Sequence, residues 1–253
     1  MREGGHVVRR GKKAAAPATI RSVEQLRDVA EPAWPALADA IDSAGVSVVV
    51  LAAEAGRGDE TLHRLQVSTA SILGALAIHC GGLLVDHGWL RILGGGSRDL
   101  PGLADAKSLP AALKGGSPPY LVVAFDVLGG VFAVDGGGLG VAPGEVCYRG
   151  PDTLAWDTVG AGHAGFVHAA LSGALSDFFG TLRWPGWELE VARLSPGQGL
   201  SLYPPPFTAQ GRDIAAVSRR PVPFTELLDF YEETAAQLAD VPDGHQVTLR
   251  LTE

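Results

Sequence analysis

Residues 120–134 read Tyr-Leu-Val-Val-Ala-Phe-Asp-Val-Leu-Gly-Gly-Val-Phe-Ala-Val, and this stretch decides the fold class. Two apolar runs rich in β-branched residues predict strands over 120–127 and 131–134. Only Gly129 and Gly130 stand out between them as turn formers. So short a connection predicts an antiparallel hairpin, because parallel neighbours need a crossover of about a dozen residues. We expect Gly130 to take a positive φ in this turn, a conformation that is easy only for glycine.

Further elements are predicted on both sides of this hairpin. The other strand candidates are 46–51, 83–93, 145–148, 154–159 and 246–251. Helices are predicted over 22–31, 60–80, 164–179 and 225–238, with Gly82 at the end of the second, and residues 195–207 are predicted to form a loop. Helices, then a run of strands, then helices again predict an α+β protein: a largely antiparallel meander with helices packed against it.

Charge divides the chain into two parts. The first 20 residues hold five Lys and Arg and one Glu, a net charge of +4, and they lack apolar periodicity. They predict a disordered basic tail. The whole chain carries −8, which leaves −12 on residues 21–253, predicted as a single α+β domain. An acidic domain disfavours nucleic acid, whose phosphates attract clustered Lys and Arg, and it suits a basic protein partner.

Composition also indicates where the protein works. Cys80 and Cys147 are too few for a disulfide framework, and their spacing fits no zinc motif. The N-terminus lacks the apolar run of a signal peptide. The most apolar stretch, residues 71–85, is shorter than the roughly 20 residues that cross a bilayer. These features predict a cytoplasmic protein that does not enter a membrane.

Residues 82–96, Gly-Leu-Leu-Val-Asp-His-Gly-Trp-Leu-Arg-Ile-Leu-Gly-Gly-Gly, resemble the signature of a known family. It is the uncharacterised bacterial family numbered 2625 among the domains of unknown function. The resemblance continues through 126–137, 150–156 and 182–188, and it covers roughly residues 22–230. Asp135 departs from it, since we expect Asn there in most members. The resemblance implies membership but no reaction, because the family's function is unassigned.

A more distant resemblance is to the SUKH superfamily. The order of elements is similar there: a helical start, a helix stopped by glycine, and a meander of strands with a Gly-Gly hairpin. Most of that superfamily is non-enzymatic, and many members look like immunity proteins that bind bacterial toxins. The resemblance therefore implies a SUKH-like fold and a protein-binding role.

The patterns that could carry chemistry define no site. The histidines, His79, His87, His163 and His168, lack the close pairing typical of zinc ligands. The Gly-x-Ser-x-Gly nucleophile motif and the phosphate-binding P-loop are absent from the sequence. The carboxylates Asp126, Asp135, Asp152 and Asp157 have spacings that fix no acid–base geometry. We therefore predict no catalytic, cofactor-binding or metal-ligating residue.

Two segments nevertheless supply a candidate binding face. If 83–93 is one strand, His87 and Trp89 point to one side, with the Trp half-buried, and Asp86 points to the other. Trp184 and Trp187 flank a Pro-Gly pair, and Trp and Arg commonly anchor interfaces. The alternative is that both rings pack between helix and sheet. The candidate face comprises Asp86, His87, Trp89, Arg91, Asp126, Arg183, Trp184 and Trp187.

The sequence thus predicts a non-enzymatic protein-binding module, of the immunity type if the SUKH resemblance holds, with a basic protein as partner. Two alternatives stay open: an enzyme that uses Asp86 or Asp126 in a cleft, and a protein that binds a small ligand without turnover. A deep pocket lined by carboxylates or a His–Asp contact favours an enzyme. A flat acidic face with exposed aromatic rings favours protein binding.

Overall fold

The structure is a computed structural model that describes residues 20–105 and 119–238 of the 253-residue chain. Its first part contains four helices and one strand: α1 (Val23–Arg27), α2 (Trp34–Asp42), β1 (Val48–Leu51), α3 (Arg57–Leu65) and α4 (Ile72–His79). The predicted basic tail, apart from Ile20, and the predicted strand over 246–251 lie outside the described residues.

Within the described residues, the main sheet has seven strands in sequential order, and every neighbouring pair is antiparallel. After β1 come β2 (Gly82–Val85), β3 (Leu90–Leu93), β4 (Tyr120–Asp126), β5 (Val131–Asp135), β6 (Val146–Arg149) and β7 (Trp156–Thr158). Phe125 pairs with Val131 across the Gly129–Gly130 turn. The predicted α+β class and antiparallel meander are confirmed.

The third part of the chain packs against the main sheet and forms a second, smaller sheet. Its elements are α5 (His163–Ser172), a short 3₁₀ helix (Gly180–Leu182), α6 (Trp187–Val191), β8 (Gln198–Tyr203), β9 (Ser218–Pro223) and α7 (Phe224–Leu238). Strands β8 and β9 pair antiparallel as a two-stranded sheet. The last predicted helix is confirmed. The loop predicted over 195–207 is wrong, because Leu200 and Leu202 are buried in β8 despite the surrounding Pro and Gly.

Both faces of the main sheet are packed. The strand register places Ile92, Ala124 and Phe132 on one face, where Phe132 contacts Phe166 of α5 at 4.9 Å between ring centroids. The register places Arg91 and Phe125 on the other face, where Phe125 lies 5.0 Å from Phe224 at the start of α7. The runs of apolar residues in the strands follow from this burial on two sides.

Two long predicted helices are shorter in the structure. The helix predicted over 60–80 is two helices, because Gln66 takes a left-handed φ of 54° and Ser71 caps α4 by accepting the N–H of Gly74. The helix predicted over 164–179 ends at Ser172, since Gly173 is left-handed with a φ of 83°. Gly82 is the first residue of β2 and does not end a helix, which corrects its predicted role.

The strand predicted over 83–93 is also wrong, and this error bears on function. Strands β2 and β3 form a hairpin, with Val85 opposite Leu90 and residues 86–89 in the turn between them. The alternation that assigned Asp86 and His87 to opposite faces of one strand therefore does not apply.

Candidate functional site

The turn at residues 86–89 has an uncommon backbone. Asp86, His87 and Gly88 are left-handed in succession, with φ of 53°, 57° and 84°. The N–H of Trp89 donates to the Asp86 carbonyl at 2.9 Å and closes the turn. A left-handed conformation costs a residue with a side chain roughly 1–2 kcal/mol, less for Asp, and such residues gather at functional sites. The turn is thus the first structural indication of a site.

Contacts from outside the turn hold it in this shape. Ser47 accepts two of its N–H groups: that of Asp86 on the carbonyl at 2.8 Å, and that of His87 on the side-chain oxygen at 2.6 Å. The Arg91 guanidinium donates to the Gly88 carbonyl at 2.7 Å. The strained backbone is therefore fixed from both sides.

A cluster of tryptophan and arginine side chains lies against this turn, and we call it the Trp–Arg cluster. Its members are Trp89, Trp184, Trp187 and Arg183. The Trp89 ring centroid lies 5.9 Å from that of Trp184 and 5.1 Å from that of Trp187. The Arg183 guanidinium lies 4.0 Å from the Trp187 ring centroid and 4.9 Å from that of Trp89. Both rings attract the cation electrostatically.

Arg183 links the Trp–Arg cluster to the turn. Its Nη2 donates to Asp86 Oδ2 at 2.5 Å, and the two side chains are 13% and 18% exposed. Two buried donors nearby have no hydrogen-bond partner among the described residues: Arg183 Nε and Trp89 Nε1. Buried polar groups are nearly always paired, so two such donors in neighbouring side chains call for an explanation.

A small cleft adjoins these groups. It is lined by Val46, Val85, Asp86, Trp89, Leu90, Ala170, Gly173, Leu175, Ser176, Phe179 and Arg183. The space within it that a water-sized molecule can occupy is about 10 Å³. A cavity needs roughly 10–15 Å³ of such space to hold a water, so this cleft has room for about one water molecule.

Asp126 lies behind the turn, and its contacts stabilise the fold. Its carboxylate is fully buried and accepts the N–H groups of Leu128 and Gly130 at 2.8 and 2.9 Å and the Tyr148 hydroxyl at 2.7 Å. Burial raises the pKa of Asp126, although these hydrogen bonds oppose the rise. These hydrogen bonds fix the β4–β5 hairpin and tie it to Tyr148 of β6.

Arg91 is likewise committed to backbone carbonyls. Besides Gly88, it donates to Pro196 at 3.4 Å and Gln198 at 2.8 Å, which ties β3 to the start of β8. Burial lowers the pKa of Arg91 to about 10, although the charge of Asp126 opposes this effect. The guanidinium joins the two sheets and is 1% exposed.

The structure brings the eight predicted face residues together but buries most of them. Five are less than a tenth exposed: Trp89, Arg91, Asp126, Trp184 and Trp187. These five side chains therefore offer little surface to a partner, and Trp89, predicted to be half-buried, is fully buried. The candidate binding face itself stays a prediction. The tryptophan rings pack against the sheet, as the packing alternative for Trp184 and Trp187 expects. Of the eight, His87 is exposed, and its ring meets the edge of Trp187 at 5.8 Å.

The open edge of the main sheet was missed by sequence reasoning. Among residues 20–105 and 119–238, β2 is the strand that pairs with β1, and the other side of β1 carries none. Val49 and Val50 are 55% and 44% exposed there. A run of four β-branched and apolar residues is typical of a buried strand, so no signal in the sequence marks this edge.

Two further searches concern the described part of the chain. Within it, no three His, Cys, Asp or Glu side chains are grouped so that they could hold a metal ion. No helix in residues 20–105 or 119–238 has both the length and the apolar character needed to cross a bilayer.

Comparison with known proteins gives consistent results. A family model described as "Protein of unknown function DUF2625" matches residues 23–227, which confirms the first resemblance. The putative uncharacterized protein YbfG of Escherichia coli K12 is 36% identical over 185 residues, 73% of this chain and 85% of its own length. An uncharacterized protein of Haemophilus influenzae Rd is 35% identical over 205 residues, 79% and 88% of the two chains. No solved structure matches, and the SUKH resemblance stays a prediction.

Proposed function

The protein belongs to the DUF2625 family, and we propose that it is a non-enzymatic protein-binding module that receives an extended segment of a basic partner along β1. The observation that carries this proposal is the edge of β1, which no strand among residues 20–105 and 119–238 covers and where Val49 and Val50 are half exposed. Unpaired backbone groups on an edge strand offer a template to which an extended peptide can add as a new strand.

The composition of β1 favours strand addition. Residues 46–53 carry no charge and no proline, the two features with which proteins commonly protect an edge. Val49 and Val50 are consecutive, so they lie on opposite faces of the strand. A partner strand with apolar side chains on both faces would cover both valines.

Charge sets the chemistry of the partner beyond this apolar centre. Residues 21–253 carry a net charge of −12, and the exposed acids Asp42 and Glu54 lie on either side of β1 in the sequence. The Glu54 carboxylate forms an ion pair with Arg57 at 3.3 Å, whereas no cation pairs with Asp42 among the described residues. Lysine or arginine at the ends of the partner segment would complement this surface and speed association.

The buried polar groups support binding in preference to chemistry. The buried ionisable side chains Asp126 and Arg91 use their hydrogen bonds on the β4–β5 hairpin, on Tyr148 and on the junction of the two sheets. Groups that must also handle a substrate proton need a free position in reach of it.

The specific form that we propose is an immunity role in the cytoplasm, with a basic toxin as the partner, as the SUKH resemblance implies. Cys80 and Cys147 are both free thiols buried in the protein, which suits a reducing compartment. A toxin gene beside the gene for this protein would support the immunity role. Without such a neighbouring gene, the peptide experiment would still test strand binding.

The experiment is a set of synthetic peptides with valine at alternate positions, flanked by either Lys or Glu. We expect wild-type protein to bind the Lys-flanked peptides more tightly, with binding that weakens as salt is added, since screening acts over about 8–10 Å at 0.1–0.15 M. Val49→Lys should weaken binding at least tenfold. Leu189→Lys is the matched control, because Leu189 is an apolar side chain on α6 that is 71% exposed.

Two outcomes would contradict the proposal. One is peptide binding that is unchanged in Val49→Lys, or equally weakened in Leu189→Lys. The other is turnover of a metabolite by the purified protein that disappears in Asp86→Asn or Asp126→Asn, which would establish the enzyme alternative.

A further inference from the structure

The hydrogen bonds between β1 and β2 fix which backbone groups of β1 face its open edge. Just before β1, the Ser47 carbonyl accepts the N–H of Asp86 at 2.8 Å, and the register of the two strands places these residues directly opposite each other. At the other end of β1, the Leu51 carbonyl accepts the N–H of Gly81 at 2.8 Å. Residues 47 and 51 therefore both direct their carbonyl groups towards β2.

The residues between these two ends alternate in direction. Hydrogen-bonded and non-hydrogen-bonded positions take turns along an antiparallel strand, so Val49 faces β2 as residues 47 and 51 do. Val48 and Val50 then direct their N–H and C=O groups away from β2. On that side they form no backbone hydrogen bond with any residue of 20–105 or 119–238. The open edge thus offers the backbone groups of two residues, spaced as one more antiparallel strand requires.

We propose that the partner segment lies antiparallel to β1 and pairs its backbone with Val48 and Val50, a register that rests on the strand addition proposed above. The direction follows that of the sheet, in which every described neighbouring pair is antiparallel. Antiparallel pairing is also slightly more stable per residue than parallel pairing.

Val49 sets the side-chain preference of the partner in this register. Its backbone groups are used on β2, so it forms a non-hydrogen-bonded pair with the partner residue opposite, and the two Cα atoms approach to about 4.5 Å. That partner residue extends the row formed by Val49, which is 55% exposed, and Leu84, which is partly buried. Close cross-strand pairs favour β-branched and aromatic side chains. The partner therefore carries such a residue opposite Val49, with Lys or Arg towards the ends of the segment.

Proline tests the register from the side of the protein. Val50→Pro removes an N–H that faces the open edge and places the proline ring in the path of the partner strand, while the hydrogen bonds to β2 stay intact. The matched control is Val50→Ala, which shortens the same side chain and keeps the N–H. We expect the two variants to unfold at similar urea concentrations. The affinity for the Lys-flanked valine peptides should be lower in Val50→Pro than in Val50→Ala by about tenfold or more.

N-methylated peptides test the same register on the wild-type chain, and they decide the matter if Val50→Pro fails to fold. Only every second N–H of an added strand points to β1. Methylation of one alternate set of N–H groups in the Lys-flanked peptide should therefore abolish binding. Methylation of the other set should leave most of the affinity in place.

The outcomes separate this inference from the proposed function. Binding that is lost in Val49→Lys but kept in Val50→Pro, or that responds equally to both methylation sets, would overturn the register and leave binding at β1 standing. A wild-type chain that binds none of the peptides would overturn both proposals. A dimer in size-exclusion chromatography that Val50→Pro converts to a monomer would assign the edge to a second copy of this chain and overturn the basic partner.

Discussion

The β2–β3 turn and the β4–β5 turn lie side by side at one end of the sheet, and each has an aspartate at its start: Asp86 is the first residue of one turn, and Asp126 directly precedes the other. Leu90 after the first turn pairs with Asp126 before the second. The Asp126 carboxylate accepts three hydrogen bonds and is fully buried. Asp86 accepts one from Arg183 and is partly exposed, in a turn with three left-handed residues.

This difference separates a structural aspartate from a candidate site. At Asp126 the three neighbouring donors are paired with the carboxylate, and the side chain has no exposed surface that a ligand could reach. At Asp86 the backbone is strained, and the adjoining Arg183 and Trp89 each have a donor without a partner among the described residues. Unsatisfied groups and strain in one place are features that proteins retain where function uses them.

The largest expected effect comes from removing each carboxylate. Asp126→Ala leaves two backbone N–H groups and the Tyr148 hydroxyl without a partner in a buried place, so we expect a loss of about 3–5 kcal/mol in the free energy of unfolding. Asp86→Ala should cost about 1–2 kcal/mol, since water can reach Arg183 in part. Urea-induced unfolding measures both, and Asp213→Ala, at an exposed aspartate, should stay within about 0.5 kcal/mol of the wild type. Equal losses at Asp126 and Asp86 would remove the distinction between the turns.

An intermediate effect is expected when the glycine of each turn becomes alanine. A Cβ on Gly130 would collide with Asp126 Oδ2 and come within 2.5 Å of the Tyr148 hydroxyl oxygen, so Gly130→Ala should cost about 2–4 kcal/mol. Gly88 has a φ of 84° and open space around it, so Gly88→Ala should cost only about 1 kcal/mol of backbone strain. Thermal unfolding measures the stability of both variants. A larger loss of stability for Gly88→Ala than for Gly130→Ala would contradict the tighter packing inferred for the β4–β5 turn.

The smallest effect is expected at His87. His87→Gly removes the backbone strain of a left-handed residue that carries a side chain, but it also removes the ring contact with the edge of Trp187. The two effects oppose each other, so we expect a stabilisation of no more than about 1 kcal/mol, read from the denaturant midpoint. A clear loss of stability would contradict this expectation and would mean that the ring contact outweighs the backbone strain.

Sequence reasoning succeeded at one of these turns and failed at the other for a local reason. Gly129 and Gly130 interrupt two apolar runs, so the β4–β5 hairpin is predictable, although Gly129 and not Gly130 has the positive φ, at 93°. Gly130 is needed for the close approach of Asp126 and Tyr148. At 86–89 the residues Asp-His-Gly-Trp fit a strand's alternation, and only the pairing of Val85 with Leu90 shows the turn.

The candidate site was predictable in its members but not in its exposure. Seven of the eight face residues come from the two short segments 86–91 and 183–187, which the sequence singles out by their Trp and Arg. Their burial depends on contacts with distant parts of the chain, such as Arg91 with Gln198, more than 100 residues away. No local pattern carries that information.

The amino-acid sequence by itself determined the α+β class, the antiparallel meander and the family, because these depend on local periodicity, on short connections and on recurring residues. The tertiary structure alone decided that Trp89, Trp184 and Trp187 are packed inside. It also decided that, within the part of the chain that it describes, the outer edge of β1 is unpaired and donors of Arg183 and Trp89 lack partners, whereas Asp126 is satisfied. The physical reason is that burial and hydrogen-bond satisfaction belong to pairs of groups. Chain folding brings those pairs together from positions that are far apart in the sequence.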